Sequence, residues 1–357
     1  MSTATYSIPL ESINHLTLEQ CIPPSGTINN HLCFFRLTAT ELQLDAAVCA
    51  ENIASQKTGE NHLSADPSSA ETLELIVFGQ TAIGQLYRLI ASSQIEISAL
   101  TRINMRNNQA SYRFLVNSQN PGHSRQLLAQ FALKHNIEAA LIQDAPSLSK
   151  PGLLVMDMDS TTIEIECIDE IAALAGVGQQ VAEVTELAMQ GELDFAQSLV
   201  QRVAQLKDAP ETILAQVAHD IPLMPGLKTL VDTLKQHQWR VAIASGGFTY
   251  FADHLYRLLE LDGAFANELE IIDGKLTGKV SGDIVDAKVK AQTLSILGEK
   301  FEIDHRQTVA MGDGANDLMM MDSAALGVAF KAKPLVLEKA DACINHSGLD
   351  CLLHYLK

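Results

Sequence analysis

A chain of 357 residues, 47% of them hydrophobic, is long enough for two domains with substantial cores. Its formal charge of -18 opposes a general nucleic-acid or anionic-membrane surface, because both of those partners are themselves negative. An anionic substrate would have to be drawn by a few local cations and not by the overall field.

Cys21, Cys33, Cys49, Cys167, Cys343 and Cys351 show no C-x-x-C spacing and read as reduced thiols. The start of the chain lacks the basic residues and apolar core of a signal peptide, and no apolar run reaches spanning length. The expected compartment is the cytoplasm.

In chain order, residues 1–70 form a poorly defined N-terminal segment, with one candidate hairpin over 31–37 and 42–48. The pattern sharpens from residue 71. Strands are expected at 73–78, 96–104, 110–116 and 138–142, with helices at 82–92 and 124–134. The resulting βαββαβ order over 71–144 suggests an α+β split βαβ sandwich. Residues 145–151, polar with two prolines, read as a linker.

Beyond the linker, Leu153, Leu154, Val155 and Met156 run straight into Asp157-x-Asp159 and two hydroxyls, Ser160 and Thr161. A continuous apolar run of this kind is what a strand buried on both faces looks like. Two carboxylates so close repel unless a cation lies between them or one holds a proton. Taken alone, the pair also fits an acidic turn or a plain divalent-cation site. Residues 164–223 then carry apolar positions at helical spacing and read as a helical insertion, closed by Pro222 and Pro225-Gly226.

Strands and helices alternate from there to the end, with a hairpin at Asp273-Gly274. This argues for an α/β fold with a doubly wound parallel sheet over 152–357. Three strand ends carry polar clusters: Asp157-x-Asp159, a Ser245-Gly246-Gly247 turn, and Asp313-Gly314-x-Asn316-Asp317. Parallel neighbours would bring all three to one rim, where ligands bind in such sheets. Carboxylates from two strand ends, Asp157 and Asp313, suit Mg²⁺. Mn²⁺ is an acceptable substitute, since both take oxygen ligands. Backbone N–H groups around Ser245 suit an anion, and Lys290 would supply the one compact cation. A carboxylate nucleophile splits one difficult phosphoryl displacement into two easier ones, with the nearby Asp159 handling the proton.

The ordered set DMDST, SGG, a following lysine and GDGAND resembles the haloacid-dehalogenase superfamily of phosphotransferases. Within it, the chain from about residue 151 onward resembles the family that hydrolyses O-phosphoserine. That likeness also runs through Glu166-Cys167-Ile168-Asp169-Glu170-Ile171, Gly191-Glu192-Leu193-Asp194-Phe195, Ser198-x-x-x-Arg202-Val203, Phe265-Ala266-Asn267 and Asp273-Gly274-Lys275-Leu276-Thr277-Gly278. The resemblance implies Asp157 as nucleophile and Asp159 as general acid/base. It implies Mg²⁺ on Asp157, Asp313 and the main-chain carbonyl of Asp159. It further implies phosphoryl contacts from Ser245, Gly246, Gly247 and Lys290, with Asn316 and Asp317 beside them.

The insertion corresponds to a small helical cap. There the resemblance places Glu166 against a substrate ammonium and Arg202 against a substrate carboxylate. Met189 and Phe195 would close over the ligand. Cap core for the last two, and a surface ion pair for Glu166 and Arg202, are the structural alternatives. The N-terminal module resembles ACT-like domains, which implies amino-acid sensing or a homodimer. Rival functions are a phosphotransferase or broader small-phosphomonoester phosphatase, and a non-catalytic serine or metal sensor.

Overall fold

Short apolar runs broken by turn residues build two antiparallel sheets in the first half of the chain. The structure, a computed structural model, describes residues 5–24, 32–49, 57–58, 73–190 and 192–357. One unit gathers Met1–Ala145, Asp341–Ser347 and Cys351–Lys357; the other gathers Pro146–Ala340 and Gly348–Asp350.

In the first unit, β1 (Thr5–Pro9), β2 (Phe35–Leu37), β3 (Glu41–Asp45) and β4 (Lys57–Thr58) form a sheet of order β2-β3-β1-β4. The second sheet holds β5 (Leu73–Phe78), β6 (Glu96–Arg106), β7 (Gln109–Asn117) and β8 (Ala139–Gln143), in the order β6-β7-β5-β8. Helices α1 (Ile83–Ser92) and α2 (Pro121–Lys134) complete the βαββαβ order. The β6–β7 turn uses Asn107 and Asn108 at φ 51° and 59°, a left-handed conformation that asparagine tolerates.

The described residues before 70 pack with those that follow. Ile8, Leu18, Phe35, Leu42 and Leu44 share one buried core with Leu75, Leu86, Tyr112, Phe114 and Leu141. Three- and five-residue strands are too short for their alternation to stand out in the sequence. His31 of the expected hairpin lies outside the described residues, but β2 and β3 pair antiparallel, with Phe35 opposite Leu44.

The C-terminal residues also depart from the expected boundary at 357. Arg113, 2% exposed, donates to the carbonyls of His354, Tyr355 and Leu356 at 3.1, 3.0 and 3.1 Å. It also pairs with Glu74 at 2.9 Å. The Glu138 carboxylate accepts the N–H groups of Asn345, His346 and Ser347 at 3.1, 2.9 and 2.8 Å. These partners lie about 200 residues away in the chain, beyond the reach of any periodicity.

The second unit has β9 (Leu153–Met156), β10 (Arg240–Phe248), β11 (Gly263–Ile272), β12 (Lys275–Ser281), β13 (Thr308–Gly312) and β14 (Leu326–Phe330). Within the unit their order is β12-β11-β10-β9-β13-β14. All neighbours run parallel except the β11–β12 hairpin. That hairpin turns on Asp273 and Gly274 at φ 51° and 72°, as the sequence pair demands. The side chains of β9 are fully buried, each contributing about 1.5–3 kcal/mol of apolar stabilisation. Between β9 and β10 come the helices α3 (Cys167–Leu174), α4 (Gly178–Met189), α5 (Phe195–Gln205) and α6 (Thr212–His219), which form the cap.

Candidate active site

Parallel pairing puts Met156 opposite both Ile243 of β10 and Met311 of β13. Asp157 lies one residue beyond that register, and Ser245 and Asp313 lie two beyond it. The three polar clusters therefore meet at one rim, at the carboxyl ends of the strands.

Asp157 is 5% exposed, and its N–H donates to the Met311 carbonyl at 2.9 Å. Its Oδ1 accepts the Met158 N–H at 2.7 Å and lies 2.9 Å from Nζ of Lys290. No hydrogen bond among the described residues reaches Oδ2. Lys290 stands in the first turn of α7 (Ala287–Lys300), whose start is capped by Asp286 accepting the Val289 N–H at 2.9 Å. The lysine is fully buried, and its Nζ also lies 2.7 Å from Oδ1 of Asp317. Burial alone would pull its pKa down; Asp157 and Asp317 outweigh that and push it up, so the ammonium stays charged.

Asp157, Asp313 and Asp317 offer oxygens that all lie within 4.8 Å of one another. Burial, then Asp157 and Glu166, push Asp313 up to about 6. Burial and Asp157 likewise raise Asp317 against the pull of Lys290. Three clustered carboxylates against one ammonium leave negative charge uncompensated, and an all-carboxylate donor set suits a hard cation such as Mg²⁺. Asp317, expected near the phosphate and the lysine, lies 2.7 Å from Lys290 and also within reach of the Asp157–Asp313 oxygens.

The Asp159 carboxylate, expected to carry the proton and not the metal, lies outside this cluster. Its Oδ1 accepts the Cys167 N–H at 3.1 Å, at the start of α3. A Cβ on Gly247 would lie 2.5 Å from Asp159 Oδ2, so that oxygen lies against the β10 end. Burial, then the charge of Glu166, raise Asp159 to about 7. A carboxyl poised there can both give and take a proton near neutrality.

The Ser245-Gly246-Gly247 stretch is not a turn that ends the strand. β10 runs through it to Phe248, with an irregular register between Ala244 and Phe248. Ser245 is 1% exposed, and its Oγ accepts the Gly247 N–H at 2.9 Å. Glycine is needed at 246, because a Cβ there would lie 2.4 Å from Cζ of Phe195. Asn316 is partly buried beside Gly314; a Cβ on Gly314 would lie 2.2 Å from Asn316 Oδ1.

On the cap, Phe195 opens α5 after a capping box in which Asp194 and Gln197 bond each other's backbone N–H. Phe195, Leu199 and Arg202 fall on one helix face by their spacing of four and three. Leu199 packs inward, while Phe195 reaches Gly246. Arg202 Nε is buried with no hydrogen-bond partner. Glu166 precedes α3 and accepts the Ser160 hydroxyl at 2.7 Å. Among the described residues Glu166 and Arg202 form no ion pair with each other, contrary to the surface-pair alternative. Met189 ends α4, and its side chain lies outside the described residues.

Two residues quoted in the sequence motifs were given no place in the site from sequence. The Thr161 hydroxyl lies 3.4 Å from Asp313 Oδ1; its place directly after the aspartate pair was the available signal. Asn267, 1% exposed in β11, donates to the Gly246 carbonyl at 2.9 Å. Its signal was an amide within a strand.

Residues 152–325 match the haloacid dehalogenase-like hydrolase family. A phosphoserine phosphatase of Vibrio cholerae serotype O1 is 60% identical over 213 residues, covering 60% of this chain and 65% of the relative. The crystal structure of a probable phosphoserine phosphatase from Vibrio cholerae superposes with a TM-score of 0.66 at 48% identity, covering 79% of this chain and 86% of that one. A phosphoserine phosphatase solved as a phospho-aspartyl intermediate analogue superposes at 0.56 with 42% identity, covering 58% of this chain and 100% of that one. The chain belongs to the phosphoserine phosphatase family of the haloacid dehalogenase-like hydrolases.

Proposed function

We propose that the protein hydrolyses O-phosphoserine to serine and phosphate through a phosphorylated Asp157, the last step of serine biosynthesis. Oδ1 of Asp157 is held by the Met158 N–H and Lys290, which leaves Oδ2 to attack phosphorus. Ser245, the Gly246 backbone and Lys290 hold the phosphoryl oxygens, and Lys290 offsets charge on the transferring group. Asp159 protonates the departing serine oxygen, then takes a proton from the water that attacks the acyl-phosphate, and so returns to its starting state. Asp157 and Asp313, with the Asp159 carbonyl, would hold Mg²⁺, which when bound neutralises developing negative charge. The 42% identity to a relative solved as a phospho-aspartyl analogue supports this covalent route.

The observation that carries the choice of substrate is Arg202. A buried Nε without a partner, on the helix face that places Phe195 over Gly246, suits a ligand carboxylate bound by a guanidinium fork. Glu166, at the mouth of the same site, suits an ammonium, and the two together suit an amino-acid zwitterion.

No helix of the described residues is long and apolar enough to cross a membrane, and no disulfide joins the described cysteines. The compartment proposed for the protein is the cytoplasm. The ACT-like reading of the N-terminal unit, with amino-acid sensing or dimerisation, rests on its βαββαβ order. Phosphate release from phosphoserine, phosphothreonine and sugar phosphates, with and without Mg²⁺, tests the proposal. Phosphoserine should lead by at least about 100-fold, the worth of a charged fork; equal rates on sugar phosphates would sink the amino-acid reading.

A further inference from the structure

We propose that Asn267 is a positioning residue that fixes the hydrogen-bond direction of Ser245, an inference resting on the phosphatase reading above. Asn267 lies on β11 with no solvent contact of consequence, and its amide is used at both ends. Nδ2 donates to the Gly246 carbonyl at 2.9 Å, and Oδ1 accepts the Val285 N–H at 2.8 Å. A main-chain N–H can only donate and a carbonyl can only accept, so these two partners leave one orientation for the amide.

The Gly246 carbonyl and the Gly247 N–H belong to one planar peptide unit. Holding the carbonyl therefore aims the N–H, which donates to Ser245 Oγ at 2.9 Å. A serine hydroxyl that accepts this bond keeps its single proton for another acceptor. That acceptor is a phosphoryl oxygen on Asp157's side of the rim. Between two glycines the peptide meets little backbone resistance to rotation. Without Asn267 it would lose its anchor, and the Ser245 proton would lose its fixed aim. The second arm reaches Val285, one residue before the Asp286 cap of the Lys290 helix. That bond holds the amide in its orientation, and the Gly246 arm is the one that acts on the phosphate site.

The test is a double-mutant cycle of Asn267→Ala and Ser245→Ala, read as kcat/KM with melting temperature measured alongside. Asn267→Ala alone should lower kcat/KM about 30-fold, below the 10²–10³ of a lost oxyanion donor. In the Ser245→Ala background it should cost less than about threefold, because the route it acts through is gone. The same loss in both backgrounds, or wild-type kcat/KM in Asn267→Ala, would overturn the proposal.

Asn267→Asp covers a folding failure. It keeps the acceptor for Val285, and only its protonated form can donate to Gly246. Its activity relative to wild type should therefore rise as pH falls from about 8 to about 5. A wild-type pH profile overturns the idea. Running the cycle on p-nitrophenyl phosphate as well separates the two readings: turnover of that ester but not phosphoserine removes the substrate while still deciding Asn267.

Discussion

On the sheet rim each charged group has a protein partner: Lys290 lies between Asp157 and Asp317, and Asp317 also takes the Gly314 N–H at 3.0 Å. On the cap, Arg202 has a buried nitrogen with none, and Glu166 is held by a single serine hydroxyl. The rim is therefore assembled before any ligand arrives, as the chemical step proposed for it requires. The cap leaves Arg202 and Glu166 open, as the ligand contacts proposed for them require. Binding energy gathered on the cap can thus be separated experimentally from transition-state stabilisation on the rim.

The sharpest break of this contrast is Asp157→Asn. Turnover should fall by about 10⁴-fold or more, as for other lost nucleophiles. Melting temperature should hold or rise, because one of three mutually repelling carboxylates is gone; steady-state assays and calorimetry check both. Next, Lys290→Met strips the buried Asp157 and Asp317 carboxylates of the ammonium that pairs with both. It should cost about 3–5 kcal/mol in urea unfolding, whereas Arg202→Met, with no protein partner to orphan, should change stability by less than about 1 kcal/mol. In kinetics Arg202→Ala should lower kcat/KM for phosphoserine about 100-fold while leaving p-nitrophenyl phosphate within about threefold. Equal losses on both esters would put Arg202 on the rim's side of the division.

The smallest effect is a matter of pH. Asp313 and Asp159 are raised from 3.8 to about 6 and about 7. A carboxyl raised on folding stabilises the fold fully below its ordinary pKa, and that contribution is lost as pH climbs through the raised values. EDTA-treated protein should therefore melt progressively lower between about pH 4 and about pH 7. Added Mg²⁺ should recover more of the melting temperature at the upper end, where the carboxylates are ionised. A flat profile would mean that the rim's charges are already balanced without a cation.

The rim was legible in sequence because its parts sit at ends of apolar runs, where strand alternation and chain order alone bring Asp157, Ser245 and Asp313 together. The same logic found the Asp273-Gly274 hairpin and the βαββαβ order. It misread Ser245-Gly246-Gly247 as a turn, since two glycines give no side-chain alternation to follow. It could not give the hydrogen bond that holds Asp159 against the Cys167 N–H. Such a bond joins groups that no local pattern relates. The roles of Asn267 and Arg113 went unread for the same reason, as their partners lie elsewhere in the chain.

The clasp of Arg113 on the carbonyls of His354, Tyr355 and Leu356 has a consequence for synthesis on the ribosome. The larger part of the first unit is translated before the second, but residues 341–347 and 351–357 follow only once residues 146–340 have been made. The catalytic unit, almost continuous in sequence, can fold while its predecessor still waits for those pieces. A nascent chain stalled near residue 145 would hold Arg113 and Glu138 without these partners, a state open to proteases and chaperones. The usual N-to-C order of domain folding is thus reversed for the last step, and a protein excised at the linker would be missing part of itself.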